Sequence, residues 1–566
     1  MFKETNHNIQ RNLFSDASLN LSGRASKLYD DPKAWHNQFY ELVTSKVDET
    51  VFQPLYKTGN MGAPTKGLCR LVAMMVYKEG CGCSDAELEQ RVDLDLQLRR
   101  ALGLFSLDEQ APSIDGYYLF RRRLVEHEQR TGEDLFAKCF VQLTGSQVKK
   151  FKISGKAVRM DSKLIGSNIA WYSRYELVHR TLVKSVSREA AATLKEPLRT
   201  KVLDLLDENA KNTVYVSSTG EIESKFEAMG RVIHGILAAW KLQSGLLHKV
   251  FHQQYDLVKD KDEAGKPRGP KYARPKDKED IKAASVQNPN DPEAEYRKKS
   301  DQQVKGYSTN ITETTAEEGK PSLIVDVQVE GATTADNSYV QGAIENAQAV
   351  TGNEVDTLYC DGAYQSPDNR QYAQDNGIEI VTSGIQGQPG RYELSLDQAG
   401  NLTVIDKQTG QIVAAEKRGE RWRIKVEGKK NPYRYFSTEQ IQREAERQRL
   451  RAYPKEKLNR RNNVEASIFQ YSFHTRNNKT RYRGLAKHRM QARSRSMWIN
   501  LRRLMIFQLS ALQCAFLAVL SLLARSWAAL GQFELPEPAF GSKLISTAIE
   551  TLFAPWRMSN PKFATC

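Results

Sequence analysis

The chain has 566 residues, 40% of them hydrophobic and 9% aromatic, which excludes a disordered polymer and gives room for roughly three or four domains. Its 83 lysines and arginines outnumber 68 acids for a net charge of +15, and with acids so plentiful the excess is regional, as on a polyanion-binding face. Seven cysteines, at 69, 81, 83, 139, 360, 514 and 566, share no repeated spacing; they exclude a disulfide framework and a regular zinc site and suit a reducing cytoplasm.

The first residues, Met1 to His7, lack the apolar core of a signal peptide. Residues 1–60 are polar and loop-rich, with one helix expected over 35–51. From Lys66, the stripe Leu68, Leu71, Val72, Met75 and Val76 predicts a helix that breaks at Gly80-Cys81-Gly82. Ser84-Asp85-Ala86-Glu87 predicts a capping box opening the next helix, with Leu88 and Val92 inward. Pro112-Ser113 opens a further helix, whose last turns are expected to carry Arg121, Arg122 and Arg123. Short helices with a basic end suit both a helix-turn-helix DNA reader and an ordinary bundle, and periodicity does not separate the two. Residues 1–150 form the helical N-terminal domain of this reading.

A short strand, Ala157-Val158-Arg159-Met160, is expected to end at Asp161-Ser162, placing the first part of a core at 151–166. Residues 167–300 read as a helical insertion closing in a charged linker over 259–267. The core resumes over 301–383. There 306–311 and 323–329 predict a strand pair, 338–350 a helix, 355–360 a strand ending at Asp361-Gly362, and 378–381 another strand. Strands at 392–396, 402–405, 412–415 and 422–426, divided by turns, predict an all-β insert over 384–436. Residues 437–503 are expected to hold a long helix with Glu465 and a basic block. Within 504–566, the apolar run 504–524 is just long enough to span a bilayer. Gln508, Ser510 and Gln513 interrupt it, so a buried or subunit-packing helix is preferred to a membrane anchor.

Glu465 is the only acid between Arg460 and Arg503, among twelve arginines and lysines. A surface that only holds nucleic acid gains nothing from a carboxylate, which repels phosphate; an enzyme that cuts the backbone needs one to hold a cation. Taken singly, Asp161 could be a turn or helix cap, Asp361-Gly362 a turn, and Glu465 a partner of Arg461 one turn earlier. In sequence order, strand and Asp161, strand pair, helix, strand and Asp361, then helix and Glu465 follow the order of a ribonuclease-H-like fold. In-line attack on a phosphodiester charges both the entering and leaving oxygens, and two hard divalent cations about 4 Å apart, held by carboxylates, stabilise both.

On these motifs, the chain resembles bacterial insertion-sequence transposases of the DDE class over nearly its whole length. Met160-Asp161-Ser162 looks like the first catalytic aspartate, Tyr359-Cys360-Asp361-Gly362-Ala363-Tyr364 like the second, and Arg461-Asn462-Asn463-Val464-Glu465 like the glutamate motif. Arg481-Tyr482-Arg483-Gly484-Leu485-Ala486-Lys487 and Asn500-Leu501 are similar to the downstream block, and the helices around 67–120 to a DNA-binding domain. One common glutamate pattern has tyrosine seven residues before and lysine seven after; Leu458 and Ser472 stand here, leaving the route of second-strand cleavage open.

The resemblance implies an α/β protein with a ribonuclease-H-like mixed-sheet core, an all-β insert, an N-terminal helical domain and a helical C-terminus. It implies Asp161, Asp361 and Glu465 as catalytic residues holding two Mg²⁺ ions, with Mn²⁺ able to substitute. Arg461, Arg476, Lys479, Arg481, Arg483, Lys487, Arg121, Arg122 and Arg123 would contact DNA. The expected partners are duplex DNA, as inverted-repeat ends and target, and a second copy of the chain on DNA, in the cytoplasm at the nucleoid and without a membrane. A DNA-binding protein derived from a transposase, without cleavage, is the alternative.

Overall fold

The computed structural model describes residues 2–5, 15–57, 65, 67–261, 267–299, 301–384, 390–397, 400–426 and 431–529. The N-terminal part is helical. The helix expected over 35–51 stops at Leu42, and two 3-10 turns, Thr44–Lys46 and Glu49–Leu55, follow it. The β-branched pair Val43-Thr44 disfavours continuation, and the Asp48 carboxylate caps Thr50 N at 2.9 Å to begin a new turn. Helix Leu68–Cys81 is buried nearly all round and ends at Gly82 with φ 68°. The capping box forms in both directions: Glu87 N donates to Ser84 Oγ at 3.1 Å and Ser84 N to Glu87 Oε2 at 2.7 Å. Ser113 caps helix Ile114–Thr131, which runs on well past Arg121, Arg122 and Arg123, so they sit in its middle and not in its last turns.

Strand β1 (Ala157–Gly166) is the centre of the main sheet. It does not end at Asp161, as expected, because a long neighbouring strand pairs with it from Val158 to Gly166. The insertion that follows folds around its own core, including Val178, Leu182, Ile233, Ile236, Phe251 and Tyr255. The flanks of its charged tract are not a linker: they pair as a hairpin, β2 (Tyr255–Lys261) with β3 (Pro267–Pro275), while 262–266 lie outside the described residues.

Then come β4 (Glu295–Lys299), β5 (Gln302–Thr314) and β6 (Ile324–Gly331). β4 and β6 pair with successive lengths of one edge of β5, whose other edge is antiparallel to β1. After helix Val340–Thr351, β7 (Thr357–Cys360) lies parallel to β1, and β8 (Glu379–Thr382) parallel to β7. One hydrophobic cluster joins the N-terminal helices, this sheet, helix Val340–Thr351 and the start of the last helix.

The β-rich insert has two three-stranded sheets. β9 (Tyr392–Leu396), β10 (Leu402–Asp406) and β11 (Ile412–Val413) make one; β12 (Ala415–Arg418), β13 (Arg421–Lys425) and β14 (Tyr433–Ser437) make the other. The expected strand 412–415 therefore divides between them. Leu394, Val404, Trp422, Ile424 and Phe436, with Ile441 of helix Thr438–Ala452, form the enclosed core.

Glu465 is not on a long helix; it lies in the first turn of the ten-residue helix Asn463–Ser472. The last helix, Leu485–Ala529, packs on helix Leu68–Cys81 and β6. Among the described residues no helix is long and apolar enough to cross a membrane. For the apolar run expected at 504–524, side chains from 511 onward lie outside the described residues, as does the chain from 530.

Candidate active site

Strands β1 and β7 run side by side with Arg159 opposite Tyr359, so Asp161 and Asp361 follow two residues later on neighbouring chains. Each aspartate is steadied by the next backbone amide: Ser162 N donates to Asp161 Oδ1 at 2.8 Å, and Gly362 N to Asp361 Oδ1 at 2.6 Å. Glu465 approaches from its helix, with its side chain 61% exposed against 19% for Asp161. Arg461 joins the two, with Nη2 3.2 Å from Asp161 Oδ2 and Nη1 3.2 Å from Glu465 Oε1.

Burial pushes the Asp161 carboxyl above the ordinary aspartate range. Arg461 and the Ser162 amide pull it back, while the charges of Asp361 and Glu465 push it further up. The three carboxylates thus share one electrostatic neighbourhood. Among the described residues no three ligating side chains are gathered tightly enough to hold an ion as they stand. The Arg461 guanidinium fills the space between two of them.

A buried polar network links the strand that bears Asp161 to the helix that bears Glu465, and sequence reasoning missed it. Glu313 of β5, without solvent exposure, accepts from Arg159 Nε at 2.5 Å, Arg503 Nη1 at 2.7 Å and Ser467 Oγ at 2.5 Å. Burial alone would raise this carboxyl, yet Arg503 and Arg159 hold it below the ordinary glutamate range. Arg159 Nη1 also donates to the Arg460 carbonyl at 3.0 Å, tying β1 to the chain leading into the glutamate helix. The signal in the sequence is that Glu313 is the single acid of strand Gln302–Thr314.

Residues expected to contact DNA from two distant parts of the sequence meet in one groove of about 850 Å³, lined by Arg121 and Arg122 on one side and Arg481, Arg483 and Lys487 on the other. The Arg121 guanidinium lies 4.9 Å from the Tyr482 ring centre, joining the two walls by a cation–π contact. Asp85 and Glu126 also line the groove, so it is not purely positive. Arg123 instead covers the Tyr56 ring at 4.8 Å. Arg476 is exposed, whereas Lys479 donates to the Ile169 carbonyl at 3.2 Å. Arg481 donates to the carbonyls of Gly82 and Cys83, and Arg483 to that of Asn168 at 2.7 Å.

Four later arginines of the basic run are engaged within the protein. Arg489 pairs with Glu128 at 2.8 Å and Glu330 at 2.7 Å, Arg493 with Asp134, and Arg503 with Glu313. Arg495 donates to the carbonyls of Glu79, Gly80 and Gln470. The absence of acids nearby in sequence is compensated by acids brought from elsewhere in the fold.

Residues 29–123 match the family model described as Transposase domain (DUF772). The match supports a transposase. It covers the helices that supply one wall of the groove, through Arg121 and Arg122, and stops before the three carboxylates. No curated protein matches the chain.

Proposed function

We propose that the protein is a DDE transposase that binds the terminal inverted repeats of an insertion sequence, cleaves DNA at their ends and transfers the freed 3′-hydroxyl to target DNA. The observation that carries this reading is the approach of Asp161, Asp361 and Glu465 from two adjacent parallel strands and a helix. A central β1 flanked by antiparallel β5 and β6 on one side and parallel β7 and β8 on the other supports a ribonuclease-H-like core.

The donors are hard carboxylate oxygens, and such a set fits Mg²⁺, with Mn²⁺ as a substitute. Asp161, Asp361 and Glu465 would hold two ions. Ions held there would supply Lewis-acid polarisation of the scissile phosphate and activation of the attacking oxygen. Arg461 neutralises Asp161 and Glu465 and is placed to reach a phosphate oxygen at the same site. The exposed Glu465 side chain has the freedom to close the set. The groove between Arg121 and Lys487 supplies a duplex contact away from the carboxylates. Two ends must be joined, so the working form is a homodimer on DNA, acting in the cytoplasm at the nucleoid.

Alanine at Asp161, Asp361 or Glu465 is expected to abolish Mg²⁺-dependent strand cleavage of duplexes carrying the element's ends, with duplex affinity retained. Cleavage that survives these substitutions overturns the assignment. Tight duplex binding by the unaltered protein with no metal-dependent nicking favours a transposase-derived DNA-binding protein.

A further inference from the structure

The sheet β12–β14 has two unlike faces. Pairing places Arg421, Arg423 and Lys425 of β13 opposite Ser437, Tyr435 and Tyr433 of β14, and Arg418 and Glu416 of β12 opposite Arg421 and Arg423. Paired residues in a ladder point the same way, so these eight side chains share one face. The alternate positions Trp422, Ile424 and Phe436 turn into the insert's core. The outer face thus carries four cations and one acid. That acid is engaged by Arg423, whose Nη2 donates to Glu416 at 2.9 Å.

Two aromatic rings stand on this charged face. Tyr433 is 40% and Tyr435 49% exposed, an unusual outlay of aromatic surface for a strand whose other face is already packed. They lie two residues apart, about 7 Å along the strand. Arg423 covers Tyr433 with its guanidinium 4.5 Å from the ring centre, which fixes the ring's orientation.

We infer that this face binds unpaired nucleotides of single-stranded DNA, the bases stacking on Tyr433 and Tyr435 and the phosphates lying along Arg418, Arg421 and Lys425. Aromatic rings between cations on an open sheet face suit bases whose π-faces are free, whereas a duplex hides those faces in its own stack. The centre of a protein interface is depleted of charged residues, whereas cations surround both rings here. The helix that leads out of the insert is also tied to the segment that follows Asp361. Gln365 Nε2, four residues past Asp361, donates at 2.8 Å to Glu446 of the helix that follows β14 directly. The inference rests on the transposase reading only for DNA as the polymer.

The test measures binding of the full chain to labelled oligothymidylate, oligouridylate and a labelled duplex by fluorescence anisotropy. The double substitution Tyr433→Ala/Tyr435→Ala is expected to weaken oligothymidylate binding about ten-fold or more, since each base stack contributes about 1–3 kcal/mol. Duplex binding should stay within about two-fold, and Tyr433→Phe/Tyr435→Phe should retain single-strand affinity because the rings remain. Equal losses on single strand and duplex, no loss on single strand, or tighter binding of oligouridylate would overturn the inference. Asp161→Asn separates the two readings: it should stop cleavage and leave single-strand binding unchanged. A protein that never cleaves yet loses single-strand binding with its tyrosines keeps this inference while the transposase reading fails.

Discussion

Ser467 donates its hydroxyl to the fully buried Glu313 at 2.5 Å, and Ser467 lies two residues past Glu465. The same Glu313 receives Arg159, two residues before Asp161. One carboxylate at the middle of the sheet therefore sets the distance between a strand-borne aspartate and a helix-borne glutamate that are far apart in sequence. Its environment is dry, so the pairing is strong only while complete.

Glu313→Gln should show this directly. Removing the charge leaves the buried Arg159 and the partly exposed Arg503 without their shared counter-ion, a loss of about 3–5 kcal/mol that lowers the thermal midpoint by several degrees. Ser467→Ala removes one bond and should cost only about 1–2 kcal/mol. At a temperature where Ser467→Ala remains folded, its cleavage rate should fall by more than its stability loss explains, because the glutamate helix loses its anchor. Unchanged cleavage would separate the network from the site.

The basic residues divide by what they touch. Lys487→Ala, at the exposed edge of the groove, should lower duplex affinity and make the slope of log affinity against log salt shallower by about 0.9 for each phosphate that Lys487 neutralises. Arg489→Ala should leave that slope intact and instead destabilise the fold, since its charge is spent on Glu128 and Glu330. Salt titrations and urea melts on both variants read the two effects separately. A shallower salt slope in Arg489→Ala would return that residue to the phosphate surface.

Much of this arrangement was legible because local rules decide it. The capping box at Ser84, the strand pair around Ile311 and Val327, and the alternation through Leu394, Val404 and Trp422 all depend on neighbours in sequence. What failed depended on distant partners. Asp161 reads as a strand end, but β5 is long enough to carry β1 on to Gly166. The basic block looks one-sided in sequence because Glu128, Asp134, Glu313 and Glu330, which pair with Arg489, Arg493 and Arg503, arrive from the N-terminal helices and the sheet. β14 escaped notice because Tyr433, Arg434 and Tyr435 are all exposed, and a strand with so little buried surface has no apolar alternation to find.

Stability against pH should report two buried groups with opposite signs. Burial pushes His488 down to about 4 from the ordinary 6.5. As pH falls from 6.5 towards 4 the unfolded chain takes up this proton first, so stability falls, by up to about 3 kcal/mol. Burial pushes Asp326 up to about 6, against roughly 3.9 when unfolded. Here the folded protein takes the proton first, so stability rises as pH falls from 6 towards 4. His488→Gln should therefore gain stability relative to the unaltered protein on acidification, and Asp326→Asn should lose it. Urea melts between neutral pH and about pH 4 check both signs, and parallel slopes for the two variants would refute the assignment.

The seat of the N-terminal helices on the last helix is set by one missing side chain. A Cβ at Gly80 would fall 2.0 Å from Trp498 Cδ2, and Trp498 is itself held against Tyr77 and Phe39, with ring centres 6.1 Å away in each case. The indole cannot withdraw without opening that cluster, so Gly80→Ala should destabilise by about 1–3 kcal/mol or more, despite alanine's better helix propensity. The Gly80 carbonyl accepts from Arg495 at 2.7 Å, and Arg481 holds the carbonyls of Gly82 and Cys83 just beyond it. Displacing this helix end therefore also moves one wall of the basic groove, and duplex affinity should fall with stability. In Gly80→Ala/Trp498→Leu, the smaller side chain makes room for the new methyl. The double variant should accordingly be more stable than the sum of the single losses predicts, giving a favourable coupling in a double-mutant cycle. Additive losses would mean that the helices already shift freely where Gly80 meets Trp498.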